Sequence, residues 1–187
     1  GHMFRSAGIP GMRNPAEAGG PSIRGTLDLN LRLVRRIHTN RVFDAMLHGT
    51  AAGYPADIHA AWFAGGNVMT QRGNLNKGDK ALKALDFTCG QDLFLTPTMR
   101  YCDIVLPVAS FAEKNDLTRP WPSGPYLTYA NKAIEPLGEC KTDWQIGNLF
   151  AEKIGINDFD EHTEDEWLRL FIENNPEYKE HIKDYDK

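Results

Sequence analysis

Ile58-His59-Ala60-Ala61-Trp62-Phe63-Ala64, halted by Gly65-Gly66-Asn67, is the stretch on which the class of fold turns. A short apolar run closed by a glycine turn reads as a buried strand. Two further runs repeat the pattern: Phe87-Thr88-Cys89-Gly90-Gln91 stops at Asp92, and Asp103-Ile104-Val105-Leu106 is closed by Pro107. Between the first two, Leu75, Ala81, Leu82, Ala84 and Leu85 interleave with Lys and Asp, which predicts an amphipathic helix over residues 76–85. Thr96-Pro97-Thr98 sets a capping hydroxyl before a proline, so a short helix is expected to begin there. Strand, helix, strand, helix, strand predicts an α/β fold: three layers, with a mainly parallel sheet and helices on both faces.

Upstream, Asn40 is placed to cap a helix through Val42, Phe43, Ala45, Met46 and Leu47, which Gly49 would end. Before it, Leu27, Leu29, Leu31 and Leu33 alternate with polar residues, as in a strand or an extended entry. Residues 4–26 are rich in Gly and Pro and predict a flexible arm, and Gly1-His2-Met3 reads as the remnant of a cleaved tag. Downstream, a Pro-rich passage runs to Pro125 and residues 126–134 alternate. Thr142-Asp143-Trp144-Gln145 and Thr163-Glu164-Asp165-Glu166 are capping boxes, each opening a helix. The first helix carries Ile146, Leu149, Phe150 and Ile154 to Gly155, and the second carries Trp167, Leu168, Phe171 and Ile172. Pro176 ends the second, and a charged tail over 176–187 is expected as a frayed helix.

With 41% hydrophobic and 25% charged residues, the 187-residue chain is neither fibrous nor wholly disordered. Its net charge of −4 disfavours nucleic acid as a partner, because neutralising many phosphates requires a basic excess. No window approaches the ~18–20 apolar residues of a membrane span, so no direct membrane insertion is expected. No secretory apolar segment follows the first residues, which leaves the compartment open. Cys89, Cys102 and Cys140 are an odd number without a CxxC pair, which argues against a disulfide framework, a zinc site or an iron–sulfur site. The six histidines show no HExxH spacing, and neither GxSxG nor GxxxxGK[ST] occurs.

Ligands of open α/β sheets sit beyond the carboxyl ends of the strands. Those ends carry Asn67 after the first strand and Gln91 with Asp92 after the second. A carboxylate there can accept from ribose hydroxyls or from the N–H edge of a guanine, and amides can donate or accept. Gly65-Gly66-Asn67 does not fit GxGxxG, so a nicotinamide-type pyrophosphate turn is not supported. Each residue also has a plain structural reading. A Gly-Gly-Asn turn needs no ligand, Asp92 can cap a turn, Lys114 can be solvated, and Asp143 suits the dipole of a helix start.

Taken in order, four stretches resemble one family. They are Gly90-Gln91-Asp92-Leu93-Phe94-Leu95-Thr96-Pro97-Thr98, then Cys102-Asp103-Ile104-Val105-Leu106-Pro107, then Glu113-Lys114, then residues 134–144 with Lys141-Thr142-Asp143-Trp144. The family is the molybdopterin oxidoreductases of the dimethyl sulfoxide reductase type, and the likeness spans roughly residues 40–155. Cys102 stands where the family usually has Ala, a small-for-small exchange. Trp62-Phe63-Ala64-Gly65-Gly66-Asn67 resembles the preceding strand, which in the family ends in an Asn-bearing cofactor loop.

The resemblance implies a Rossmann-like third domain, over 27–175, of a larger catalytic subunit of a molybdenum or tungsten oxidoreductase. Such a domain helps to hold molybdopterin guanine dinucleotide. By motif position, Asn67, Gln91, Asp92, Lys114 and Asp143 match cofactor-contacting residues, with Lys114 suited to a phosphate. The family's Ser, Cys or selenocysteine metal ligand and its Cys-rich iron–sulfur segment match nothing here, so no metal site and no catalytic residue are assigned, and the chain alone is expected to be inactive. The implied partners are the remaining domains of the parent subunit, with an iron–sulfur electron-transfer subunit as a further candidate. The alternative is a stand-alone guanine-nucleotide-binding or regulatory module without redox activity.

Overall fold

The computed structural model describes residues 37–118, 128–157, 159–160, 162–174 and 176–182. The tag remnant, the arm over 4–26, the alternation at 27–33, residues 119–127 and the end of the tail lie outside the described residues. The stretch read as one domain contains parts of two compact units. One is formed by residues 37–109 and 137–143, the other by the described residues of 110–136 and 144–182.

The first unit holds the sheet. Strands β1 (Ala60–Ala64), β2 (Phe87–Asp92) and β3 (Ile104–Pro107) lie in the order β1-β2-β3, and both pairings are parallel. Central β2 is buried from Thr88 to Gln91, as expected for a strand with neighbours on both sides. Ala64 is level with Gln91, and Asp92 with Pro107, so the three carboxyl ends finish on one edge. The predicted α/β class with a parallel sheet is therefore what the chain adopts, with helices packed around the sheet.

Helix α1 (Val42–His48) ends at Gly49, as the sequence predicts. Its start differs: a 3-10 turn over Thr39–Arg41 precedes it, and the capping residue is His38 rather than Asn40, with His38 Nδ1 accepting the Asn40 amide at 3.2 Å. A one-turn helix α2 (Val68–Gln71) follows β1, and α3 (Leu75–Lys83) follows that. α3 is capped by Asn74, whose Oδ1 accepts the Lys77 amide at 3.1 Å from a left-handed backbone. Between β2 and β3 the expected helix shrinks to a 3-10 turn at Met99–Tyr101. The chain must turn back at once, because the Asp103 amide donates to Thr88 O at 3.0 Å and Asp103 Oδ2 accepts the Thr88 amide at 2.7 Å. Phe43, Phe63, Met69, Ala81, Leu82 and Met99 form the core. Each large member contributes roughly 1.5–3 kcal/mol of apolar burial.

In the second unit, β4 (Asp116–Thr118) pairs antiparallel with β5 (Thr128–Ala130). Helices α4 (Asp143–Lys153), α5 (Glu164–Glu173) and α6 (Pro176–His181) complete it, although Asp143 itself belongs to the first unit. The second capping box forms as read: Thr163 Oγ1 accepts the Glu166 amide at 3.3 Å, and Glu166 Oε2 accepts the Thr163 amide at 2.6 Å. Among the described residues, no helix is long and apolar enough to cross a membrane.

Candidate functional site

The level strand ends of the first unit gather four of the five residues singled out from sequence. Lys141 and Val108 form a parallel bridge, and the Ala109 amide donates to Lys141 O at 2.9 Å. These bonds bring the chain ahead of Asp143 alongside the end of β3. Gln91 Nε2 then donates to Asp143 Oδ1 at 2.5 Å, across 52 residues of sequence.

Gln91 is buried, with 6% of its surface exposed. Its Oε1 accepts the indole N–H of Trp62 at 2.8 Å. The amide can be placed only one way round, because an indole only donates and a carboxylate only accepts. Asp143 begins α4 and is exposed. Asp92 is half-buried, and its Oδ1 accepts the Leu93 amide at 2.7 Å. Its Oδ2 has no partner among the described residues.

Asn67 follows the glycine turn. Gly65 has φ +59°, and a Cβ built on it meets nothing within 4 Å, so the turn needs glycine for its backbone and leaves open space beside it. Asn67 Oδ1 accepts from Thr98 Oγ1 at 2.8 Å and from the Thr98 amide at 3.3 Å. Thr98 is fully buried, and its Oγ1 also accepts the Met69 amide at 3.0 Å. With its oxygen committed to Thr98, Asn67 presents its NH₂ group as a donor. The strand-end edge thus offers one amide donor and two carboxylates, each with one oxygen held by the protein.

Thr98 and Trp62 were not singled out as site residues from sequence. Thr98 carried a signal, since it is the second hydroxyl of the Thr-x-Thr turn, but that turn reads as a helix cap. Thr98→Val should cost roughly 1–3 kcal/mol by orphaning the Met69 amide, while Thr98→Ser should cost less than half as much. Urea denaturation of the two variants measures the difference.

Lys114 is the fifth residue. It lies in the other unit, and its Nζ pairs with Asp116 Oδ2 at 3.0 Å. Two of the three thiols of the sheet unit, Cys89 and Cys102, are poor candidates for any thiolate role. Burial pushes Cys89 up, and burial together with Cys89 and Asp103 pushes Cys102 up to about 11. Among the described residues, no group of three or more His, Cys, Asp or Glu side chains could hold a metal ion.

The family model described as molybdopterin oxidoreductase matches residues 36–153. A dimethyl sulfoxide/trimethylamine N-oxide reductase of Cereibacter sphaeroides is 30% identical over 190 residues, which is 92% of this chain and 23% of that protein. The alpha subunit of an F420-dependent formate dehydrogenase 1 of Methanococcus maripaludis is 33% identical over 122 residues, 65% of this chain and 18% of that one. Among solved structures, acetylene hydratase from Pelobacter acetylenicus superposes with a TM-score of 0.60 at 22% identity, covering 76% of this chain and 19% of that one, a likeness of fold. The chain therefore spans about a fifth of the length of the relatives it matches.

Proposed function

From the premise that this chain belongs to the molybdopterin oxidoreductase family, we propose that it is the third, Rossmann-like domain of a larger molybdenum or tungsten oxidoreductase subunit. Its strand-end edge holds the guanosine part of a molybdopterin guanine dinucleotide. The observation that carries this reading is the pair of carboxylates, Asp92 and Asp143, at one sheet edge with Asn67 as a nearby donor. Guanosine offers the complementary set: N–H groups on the base, hydroxyls on the ribose, and a carbonyl oxygen for the Asn67 amide. The open space at Gly65 admits a flat or anionic group close to backbone.

When bound, the cofactor supplies the redox-active metal centre, and this chain's residues bind and orient the end remote from it. The phosphates of the dinucleotide need positive charge, and Lys114 is the residue of this chain that the family motif proposes for it. The other domains of the parent subunit are the proposed partners, together with an iron–sulfur electron-transfer subunit. Support comes from Phe94, 75% exposed two residues after Asp92, and from its exposed neighbours Leu93 and Leu95. Such a run in contact with water marks an interaction surface.

Titration of the chain with GDP, followed by NMR, tests the reading. Amide shifts are expected at Gly65, Gly66, Asp92 and Leu93, with weak binding, a Kd of about 1 mM, because the pterin and metal contacts are absent. ADP should bind at least about tenfold more weakly, since it lacks the N–H pair a carboxylate can accept. Asp92→Asn should weaken GDP about tenfold. Micromolar GDP binding would favour the stand-alone module, and unchanged affinity in Asp92→Asn would show that the carboxylate is misplaced.

A further inference from the structure

Gln91 and Asp92 are adjacent in sequence and both match cofactor-contacting motif positions, yet their surroundings differ. The side chain of Gln91 is spent inside the protein. Gln91 stands opposite Ala64 in the β1–β2 ladder, which puts Trp62, two residues earlier, on the same face as a diagonal neighbour. That register delivers the Trp62 indole N–H to Gln91 Oε1 at 2.8 Å, and the amide passes a donor on to Asp143 Oδ1 at 2.5 Å. Only 6% of Gln91 is exposed, so the group a ligand meets at the end of this chain of bonds is the exposed carboxylate of Asp143.

We infer that Gln91 is a positioning residue rather than a ligand contact. With Trp62 as its anchor, it fixes one oxygen of Asp143 and leaves the other for a ligand's N–H or O–H. The chain of bonds stands on its own geometry; that the ligand is guanosine rests on the reading above. The arrangement is polarised in one direction: donor-only indole, two-ended amide, acceptor-only carboxylate. Reversing the amide would set oxygen against carboxylate and NH₂ against indole N–H, so the Asp143 carboxylate is oriented by a partner that cannot flip.

Gln91→Glu separates positioning from mere packing. It keeps the shape and the acceptor for Trp62, but sets a second carboxylate against Asp143. Two carboxylates at hydrogen-bond distance cannot both ionise freely, so the pair takes up a proton at a higher pH than either would alone. At pH 7.5 the variant is expected to bind GDP on the order of tenfold more weakly than wild type, and at pH 5 to recover most of that loss, as one shared proton restores a donor toward Asp143. Gln91→Met, which cannot regain a donor, should stay weak at both pH values relative to wild type.

Without ligand, the indole N–H cross-peak of Trp62, assigned from Trp62→Phe, should shift in Asp143→Ala and titrate with pH in Gln91→Glu. A Trp62 cross-peak unmoved in both variants would overturn the chain of bonds whether or not GDP binds. A Gln91→Glu defect that is absent, or that does not change with pH, would overturn the positioning role. A wild type with no response to GDP, alongside a responsive Trp62 cross-peak, would overturn the guanosine reading and leave the Trp62-Gln91-Asp143 chain standing.

Discussion

Gly90→Ala is expected to lower the stability of the sheet-bearing unit by about 3 kcal/mol, at the upper end of overpacking penalties. Gly90 lies in the buried centre of β2, level with Val105 on one side and Phe63 on the other. A Cβ built there falls inside the envelope of Met99 Sδ and comes to 2.9 Å from Cys102 Sγ. Met99 is 1% exposed and belongs to the core, so moving its thioether aside displaces close-packed neighbours. For a unit of this size the loss corresponds to a fall in Tm of on the order of 10–20 °C. Far-UV circular dichroism melts of the variant and wild type measure it. A change within about 0.5 kcal/mol would mean that Met99 repacks freely and that the β2–Met99 contact is loose. Met99→Ala opens the space Gly90→Ala needs, so the double variant should be more stable than the sum of the two single losses predicts.

The same glycine shows what could and could not be read from sequence. The strand ends were legible because their signals are local: Gly65-Gly66 after an apolar run, Asp92 after Gln91, and Pro107 after Val105-Leu106. The capping box at Thr163 was legible for the same reason. The turn at Met99–Tyr101 was not, because its tightness is imposed by Asp103 returning to Thr88 across the sheet, a tertiary demand that overrides the helix-start signal of Thr96-Pro97. Strand β4 was missed because three residues, Asp116-Leu117-Thr118, are too few for a periodicity to show.

In the site, residue types were legible and connections were not. Gln91 meets Trp62 29 residues away and Asp143 52 residues away, and only the strand register decides that these groups share a face. Sequence therefore placed Gln91 and Asp92 in the same role, although burial and register give them different surroundings. The pairing of Lys114 with Asp116 is different again, since a carboxylate two residues on in the chain was in plain view. An ammonium already held by a carboxylate gives up that partner to bind a phosphate, unless the phosphate joins it, so its gain from an anionic ligand is smaller than that of a solvated lysine.

Asp160→Ala is expected to destabilise the other unit by about 3 kcal/mol, because one nearly inaccessible carboxylate ties two helices to the loop between them. Its Oδ2 accepts the indole N–H of Trp144 in α4 at 2.5 Å and that of Trp167 in α5 at 2.6 Å, while Oδ1 accepts the His162 amide at 3.0 Å. The side chain is 1% exposed, so truncation strands two indole donors. Asp160→Asn can keep an oxygen toward both indoles and loses mainly the His162 amide, so it should cost roughly half as much.

Burial alone would push the Asp160 carboxyl up, but the bonds from Trp144, the His162 amide and Trp167 outweigh it and hold the group below its ordinary value. A lowered folded-state value means the unfolded chain binds the proton first. The contribution is therefore complete above about pH 4 and is lost as the pH falls through the folded-state value. Wild type should lose stability over that acid range more steeply than Asp160→Asn, which has no carboxyl there to titrate. Urea denaturation followed by tryptophan fluorescence, to which Trp144 and Trp167 both contribute, measures the two acid slopes. Equal acid slopes for the two proteins would mean that the carboxylate's charge contributes nothing and that Asp160 acts by shape alone.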